Sequence, residues 1–291
     1  MGTTKSTNQI FFCGITKNCI NHIQSNLNFI ENFLLETKFK TNIIFVDSDS
    51  IDGTKNTLSL FSKKHKNVVY KDLDGLEDQY SNRIERILIS RNKCLEIMDS
   101  INGVENTIYI PLDLDIDLFK YLNVEKFENL IDYCIQKDIP NGLFPFSEPY
   151  YYDIFALRAS NWVNYNAQFW VKRMKKSLKI GSFFYNYVLI FRHQISLSRY
   201  KEKESKINSA FGGAGIYKIK NNYLKYELSK EYPEDVSEHV QFNSQFAELE
   251  IIKDWIIQAP LEHLEFRLLG WKDKIKYFIK TIKFDIKNLT S

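Results

Sequence analysis

The chain has 291 residues, 44% hydrophobic and 15% aromatic, and its 22 Phe and 17 Tyr exclude an intrinsically disordered protein. A formal net charge of +3 lacks the basic excess of a dedicated nucleic-acid binder, so no nucleic-acid partner is expected. The four cysteines, Cys13, Cys19, Cys94 and Cys134, form no CxxC pair and have no metal-site spacing, and no run approaches the ~20 apolar residues that span a bilayer.

The polar residues 1–8 lack the basic-then-apolar layout of a secretory leader and are expected to be flexible. With thiols of the reduced, cytosolic kind, the expected location is the cytoplasm. The run QIFFCG (9–14) then suits a buried strand. Ile23, Leu27, Ile30 and Leu34 recur at helical spacing and predict an amphipathic helix over 20–36. Residues 42–46 predict a second strand that ends in the acidic turn VDSDSIDGT (46–54). A helix to about residue 64 follows, with Asp52 or Ser50 as its N-cap. A third strand is expected at 67–71. Between 82 and 98, Ile84, Leu88, Leu95 and Met98 share one helical face with Arg91. A buried guanidinium needs an anion, so Arg91 is expected to meet the carboxylates of the next strand end or the diphosphate of a ligand.

That strand is expected over 107–112 and runs into DLDID (113–117). Residues on alternate strand positions point the same way, so Asp113 and Asp115 are expected to face one cation. Mg²⁺ or Mn²⁺ takes a few carboxylates together with diphosphate oxygens. The carboxyl ends of strands are where open α/β sheets bind ligands. At the earlier strand end, Asp47 and Asp49 can accept hydrogen bonds from a nucleobase and ribose while Asp52 caps the helix. A strand followed by DxD also occurs in haloacid-dehalogenase-type phosphatases. There it ends the first strand, with Thr or Val two residues after the second Asp; here three strands precede it and Asp117 holds that place. A helix over 124–137 and strands at 143–146 and 151–157 complete the alternation, which implies a largely parallel sheet with helices on both faces. The second half is less regular: an aromatic, basic stretch WVKRMKKSLK, a glycine turn FGGAGIYK entering a strand, and a basic amphipathic helix over 271–287 with Ile275, Phe278, Ile279 and Ile282.

These segments, in this order, resemble a GT-A-fold glycosyltransferase. YYDIFALR (151–158), SAFGGAGIYK (209–218) and SEHVQFN (237–243) narrow the likeness to the fungal capsule-associated α-1,3-mannosyltransferase family and its bacterial relatives, over about residues 11–243. The resemblance implies a GT-A domain over 9–250, a mixed, mostly parallel sheet flanked by helices, and a C-terminal helical extension over 251–291. It implies a metal-dependent hexosyltransferase that uses a UDP- or GDP-sugar, a glycan or lipid-linked acceptor, and a place in capsule or other surface-polysaccharide assembly. In residues, it implies metal ligation by Asp113, Asp115 and His239 with Mn²⁺ or Mg²⁺, and His263 is a weaker alternative ligand. Thr16, Asp47, Asp49, Arg91 and Asp113 would bind the donor nucleotide, and Asp153, Arg158, Gly212 and Gly213 the sugar and acceptor. Glu238 would be the general base, with Arg91 stabilising the leaving group. Ser237 stands where the fungal pattern often has Cys. The family's α-linkages imply retention whereas a Glu238 base implies inversion, and the residues alone leave both open. A catalytically silent sugar-nucleotide-binding module is the alternative of another class; it has no chemical need for Asp113, Asp115, Arg91 and Glu238 together. The basic, aromatic segments add an expected peripheral contact with the inner membrane face.

Overall fold

Runs of Ile, Phe and Val that are too short for a helix, and apolar at successive positions, become the central strands. The computed structural model describes residues 8–102, 107–178, 181–201, 206–220 and 224–289. In chain order come β1 (Gln9–Thr16), α1 (Ile20–Glu36), β2 (Lys40–Asp47), α2 (Thr54–Lys64), β3 (Val68–Asp72), α3 (Leu76–Gln79), α4 (Arg83–Asn102), β4 (Thr107–Asp113), α5 (Val124–Gln136) and β5 (Asn141–Glu148). There follow β6 (Arg158–Ala159), α6 (Ala167–Leu178), α7 (Ser182–Leu189), a 3-10 turn (Phe191–His193), α8 (Leu197–Lys201), β7 (Ile207–Ser209), β8 (Ile216–Ile219), α9 (Glu238–Asn243), β9 (Glu248–Gln258), α10 (Leu261–Leu268) and α11 (Trp271–Leu289).

Seven strands form one sheet in the order β3-β2-β1-β4-β8-β5-β9. Every neighbouring pair is parallel except those of β8, which runs antiparallel to β4 and β5. Alternation along β1 sends its side chains into two cores. Ile10 and Phe12 pack with Ile23, Ile30 and Phe33 of α1 and Phe127 of α5. Phe11 and Cys13 pack with Cys94, Leu95 and Met98 of α4. The mixed, mostly parallel sheet flanked by helices, with helices after its last strand, is therefore the architecture expected from the sequence. Of the N-terminal segment 1–8, residues 1–7 lie outside the described residues. The last strand, β9, straddles residue 250, and the sheet extends to Gln258.

Two local expectations are corrected. Residues 151–157 are an irregular loop, because side chains and distant backbone take the groups a ladder would use. Asp153 Oδ1 accepts from Ala156 N–H at 3.1 Å, and Tyr151 N–H donates to Ile195 O at 2.9 Å. The N-cap of α2 is Gly53, in the left-handed region, while Asp52 bonds across two helix starts. Its Oδ1 accepts from Thr54 N–H at 3.0 Å and its Oδ2 from Ile20 N–H at 3.0 Å, which ties the first turns of α2 and α1 together.

Candidate active site

The order β3-β2-β1-β4 makes β1 the point from which the chain builds outward in both directions, and Ile15 of β1 pairs with Asp113 of β4. Ligands in open α/β sheets bind outside the carboxyl ends of strands at such a switch. A cleft of about 1250 Å³ opens there, lined among others by Thr16, Asp113, Asp115, Asp153, Gly213 and Glu238. That volume exceeds the ~300–1,000 Å³ of a single small-molecule pocket.

The centre of the site is a buried arginine. Arg91 is fully buried on α4; its Nη2 donates to Asp113 Oδ1 at 2.5 Å and lies 3.4 Å from His239 Nε2. Its Nε is 3.9 Å from Glu238 Oε1, and its guanidinium carbon lies 5.0 Å from the centre of the Phe211 ring. Burial opposes the charge on Arg91, but Asp113, the tyrosines Tyr226 and Tyr109, and Glu238 outweigh it and hold the guanidinium protonated. Burial pushes the Asp113 carboxyl up to about 7 against the pull of Arg91, helped by the negative neighbours Asp115, Glu238 and Asp153. Glu238 is likewise raised, first by burial and against Arg91. Burial, and then the positive charge of Arg91, hold His239 well below its ordinary range, so its ring is neutral.

A glycine turn pins the tip of β4. Gly213 O accepts from Asp113 N–H at 2.8 Å, and Gly212 N–H donates to Asp153 Oδ2 at 2.9 Å. Both glycines have left-handed φ, +70° and +90°. A Cβ on Gly213 would stand 2.6 Å from Ile116 Cδ1, so close packing against the β4 tip is what requires glycine there. Burial raises the Asp153 carboxyl against the hydrogen bonds it accepts from Gly212 and Ala156.

Several expected roles change once these contacts are seen. Arg91 does not line the cleft; it stands behind Asp113, so its anion is the strand-end carboxylate and not a bound diphosphate. His239 lines the cleft but does not join Asp113 and Asp115 in a three-ligand set. Its Nε2 is 3.3 Å from Glu238 Oε1 and faces Arg91, its Nδ1 is buried, and its ring stacks on Phe211 at 3.5 Å. Among the described residues no three of His, Cys, Asp and Glu form a metal-holding group. Asp47 is fully buried and the half-buried Asp49 is engaged by backbone, and neither is among the residues lining the cleft. Asp47 Oδ2 accepts from Thr16 Oγ1 at 2.7 Å and from Ser50 Oγ at 2.6 Å, while Asp49 takes the backbone N–H of Gly75 and Glu77. The third acid of the cluster, Asp117, accepts from Ser25 Oγ of α1. Arg158 braces its own loop by donating to Phe155 O and Leu157 O, away from the cleft, and burial lowers it to about 10. Gly212 faces Pro145 and lies outside the lining, whereas His263 is part of it.

Other residues that line the cleft carry positive charge. Lys17, in the loop after β1, pairs with Glu77, and Arg83 and Arg86 look into the same space from the first turn of α4. RIER at the start of a helix following an acidic loop was the available signal, since cations at that helix end face the strand tips. Tyr152, Phe155 and Phe191 add aromatic walls to the cleft. The four cysteines are buried and free, and burial pushes Cys19 and Cys134 up to about 12, which removes them as nucleophiles.

No family model and no curated protein sequence matches the chain. Solved structures similar to it include residues 1–349 of TarS from S. aureus with UDP, at 14% identity and TM-score 0.44, covering 89% of this chain and 62% of that one. A mannosyltransferase from Pyrobaculum calidifontis, solved with GDP-Man and Mn²⁺, is similar at 12% identity and TM-score 0.44, covering 88% and 57%. Glucosyl-3-phosphoglycerate synthase from Mycobacterium tuberculosis, solved with UDP, is similar at 12% identity and TM-score 0.41, covering 89% and 75%. The chain spans less than two thirds of the length of the first two.

Proposed function

We propose that this chain is a GT-A-type glycosyltransferase that moves a hexose from a UDP- or GDP-sugar to a glycan or lipid-linked acceptor in surface-polysaccharide assembly. The supporting observation is the gathering of Asp113, Asp115, Asp153 and Glu238 in one cleft at the strand tips, with Arg91 behind them. A divalent cation suits this donor set. Asp113 and Asp115 offer hard oxygen ligands, and the acids that raise Asp113 outnumber the one buried guanidinium beside it. With the donor's phosphates completing its shell, Mn²⁺ or Mg²⁺ held there would supply charge neutralisation at the leaving diphosphate.

The remaining steps belong to the chain's own residues. Arg91 is a positioning residue that fixes Asp113 and Glu238 relative to each other. Lys17, Arg83 and Arg86 face the space that a donor diphosphate would occupy, where fixed positive charge stabilises what develops as the glycosidic bond breaks. Glu238 accepts the proton of the acceptor hydroxyl; its raised carboxyl places it nearer the operating pH than an ordinary glutamate. Neutral His239, whose Nε2 accepts from Arg91 Nη2 at 3.4 Å, flanks Glu238 with the same nitrogen 3.3 Å from Oε1. Asp153, held by two backbone N–H groups, turns its remaining lone pairs toward sugar hydroxyls. A Glu238 base requires inversion at the anomeric carbon.

The deciding assay follows nucleoside diphosphate release from UDP- and GDP-sugars with Mn²⁺ or with chelator, in wild type and Asp115→Asn. Metal-dependent release, reduced about a hundredfold or more in the variant, is expected. Phosphate release from simple esters would establish a phosphatase, and donor binding without turnover a silent module. Among the described residues no helix is long and apolar enough to cross a membrane. Helix α11 nevertheless carries a surface suited to anionic lipid. On α11, Trp271, Ile275, Ile279 and Ile286 lie exposed along one stripe, and the exposed Lys272, Lys276, Lys280 and Lys283 run beside it. Salt-sensitive sedimentation with anionic liposomes is the expected result, and its absence rejects the contact.

A further inference from the structure

The 3-10 turn Phe191–His193 is a wall shared by two cavities. Phe191 lines the large cleft, whereas Arg192 and His193 line a smaller cavity of about 410 Å³ on the other side. Two more arginines reach this second cavity from separate elements, Arg199 from α8 and Arg267 from α10, and Trp162 and Tyr187 add aromatic walls. No carboxylate is among the described residues that line it. For a chain whose net charge is only +3, three guanidinium groups around one cavity are a local concentration of charge and not a reflection of overall basicity.

Two of the arginines are held in place. Arg192 Nε donates to His193 Nε2 at 3.1 Å, and Tyr165 Oη lies 2.9 Å from the same ring nitrogen, which fixes one edge of that guanidinium. The Arg267 guanidinium lies over the Tyr150 ring at 4.8 Å, and its Nε is buried with no hydrogen-bond partner among the described residues. A buried donor without an acceptor is costly in a protein interior, and like charges drawn together with no carboxylate between them repel. An oxyanion relieves both at once, because planar guanidinium forks match tetrahedral phosphate oxygens.

We propose that this cavity is a second anion site, separate from the donor cleft, that takes a phosphate or diphosphate group. The phosphate can belong to a lipid headgroup or to a soluble phosphorylated compound. The site does not rest on the transferase reading, since its binding is measured without donor or metal.

The test titrates pyrophosphate by calorimetry into wild type, Arg192→Gln/Arg199→Gln and Arg83→Gln, the last removing a cation from the large cleft. Sedimentation with phosphatidylglycerol vesicles, against phosphatidylcholine controls, forms the second arm. Arg192 and Arg199 are exposed, so the double variant is expected to fold, and its unliganded melt checks this; Arg199→Gln alone replaces it if the melt falls. Pyrophosphate affinity at this cavity is expected to drop about tenfold or more in the double variant, whereas Arg83→Gln weakens only the separate binding event of the large cleft. A charge-preserving Arg192→Lys/Arg199→Lys variant is expected to lose affinity as well, because lysine has no fork. Loss confined to the vesicle arm identifies a lipid headgroup, and loss in the pyrophosphate arm identifies a soluble ligand. Unchanged binding of both probes in the arginine variants, or loss of pyrophosphate binding only in Arg83→Gln, overturns the proposal.

Discussion

Arg91→Met removes one side chain on which two acids depend. The Arg91 side chain is 1% exposed, that of Glu238 7% and that of Asp113 36%. Removing one member of a buried ion pair costs about 3–5 kcal/mol, and because water reaches part of Asp113 we expect the low end, about 3 kcal/mol. For a chain of this length the melting entropy is on the order of 0.6 kcal/mol/K, so the melt should fall by about 5 °C near neutral pH. The pH dependence follows from Asp113. Its folded value of about 7 lies above that of an unfolded aspartate, so the folded state binds the extra proton. The stability this contributes is full below the unfolded value and is lost as pH rises through the folded one. Without Arg91 the carboxyl rises further, and the variant should weaken more steeply toward alkaline pH. The gap between variant and wild type should therefore be wide at pH 8 and narrow at pH 5, measured by thermal melts followed by circular dichroism. Arg91→Met/Asp113→Asn should recover part of the loss at pH 8, because no unpaired charge is left. A melt for Arg91→Met within about 1 °C of wild type at pH 8 would refute the idea that the guanidinium holds the site together.

Glu238→Gln should lower turnover by about 10²–10⁴-fold with little change in melt, because the amide keeps the shape of a carboxyl whose charge is opposed by burial. Nuclear magnetic resonance of the first-formed product should show an inverted anomeric centre, and retention removes Glu238 as base. Gly213→Ala should cost about 2–3 kcal/mol in denaturant titration, since it combines a φ of +90° with a Cβ 2.6 Å from Ile116. Asp285 on α11 accepts from Gly181 N–H, Ser182 N–H and Ser182 Oγ and so caps α7 from a distant helix. Asp285→Ala should cost about 1–2 kcal/mol and speed proteolysis within α11; a cleavage rate equal to wild type counts against that latch.

Much of the first half is legible because its signals are local. A strand of a parallel sheet is apolar at successive positions, as IFFC and IIFV are, and α1 repeats its apolar residues every third or fourth place. The stretch ELEIIKDWIIQ hides its strand for an equally local reason. Along β5 the pairing passes from Ile252 opposite Pro145 to Ile256 opposite Phe146, and the irregularity breaks the period of two in β9. At 151–157 the YYDIFALR pattern reads as a strand, but the Asp153 side chain takes a nearby backbone N–H and turns the chain.

By itself the sequence determines that an acidic pair follows a buried strand, that an arginine shares the apolar face of the preceding helix, and that a glycine pair precedes a later strand. These are matters of period and neighbourhood along the chain. The tertiary structure alone decides which carboxylate the arginine holds, that Asp47 and Asp49 accept hydrogen bonds from within the chain, and that His239 faces Arg91 and Glu238. It alone brings Arg192, Arg199 and Arg267 around one cavity. Each of these depends on residues far apart in sequence meeting at one point, and on how burial and charge there set which protons are held, which no local pattern records.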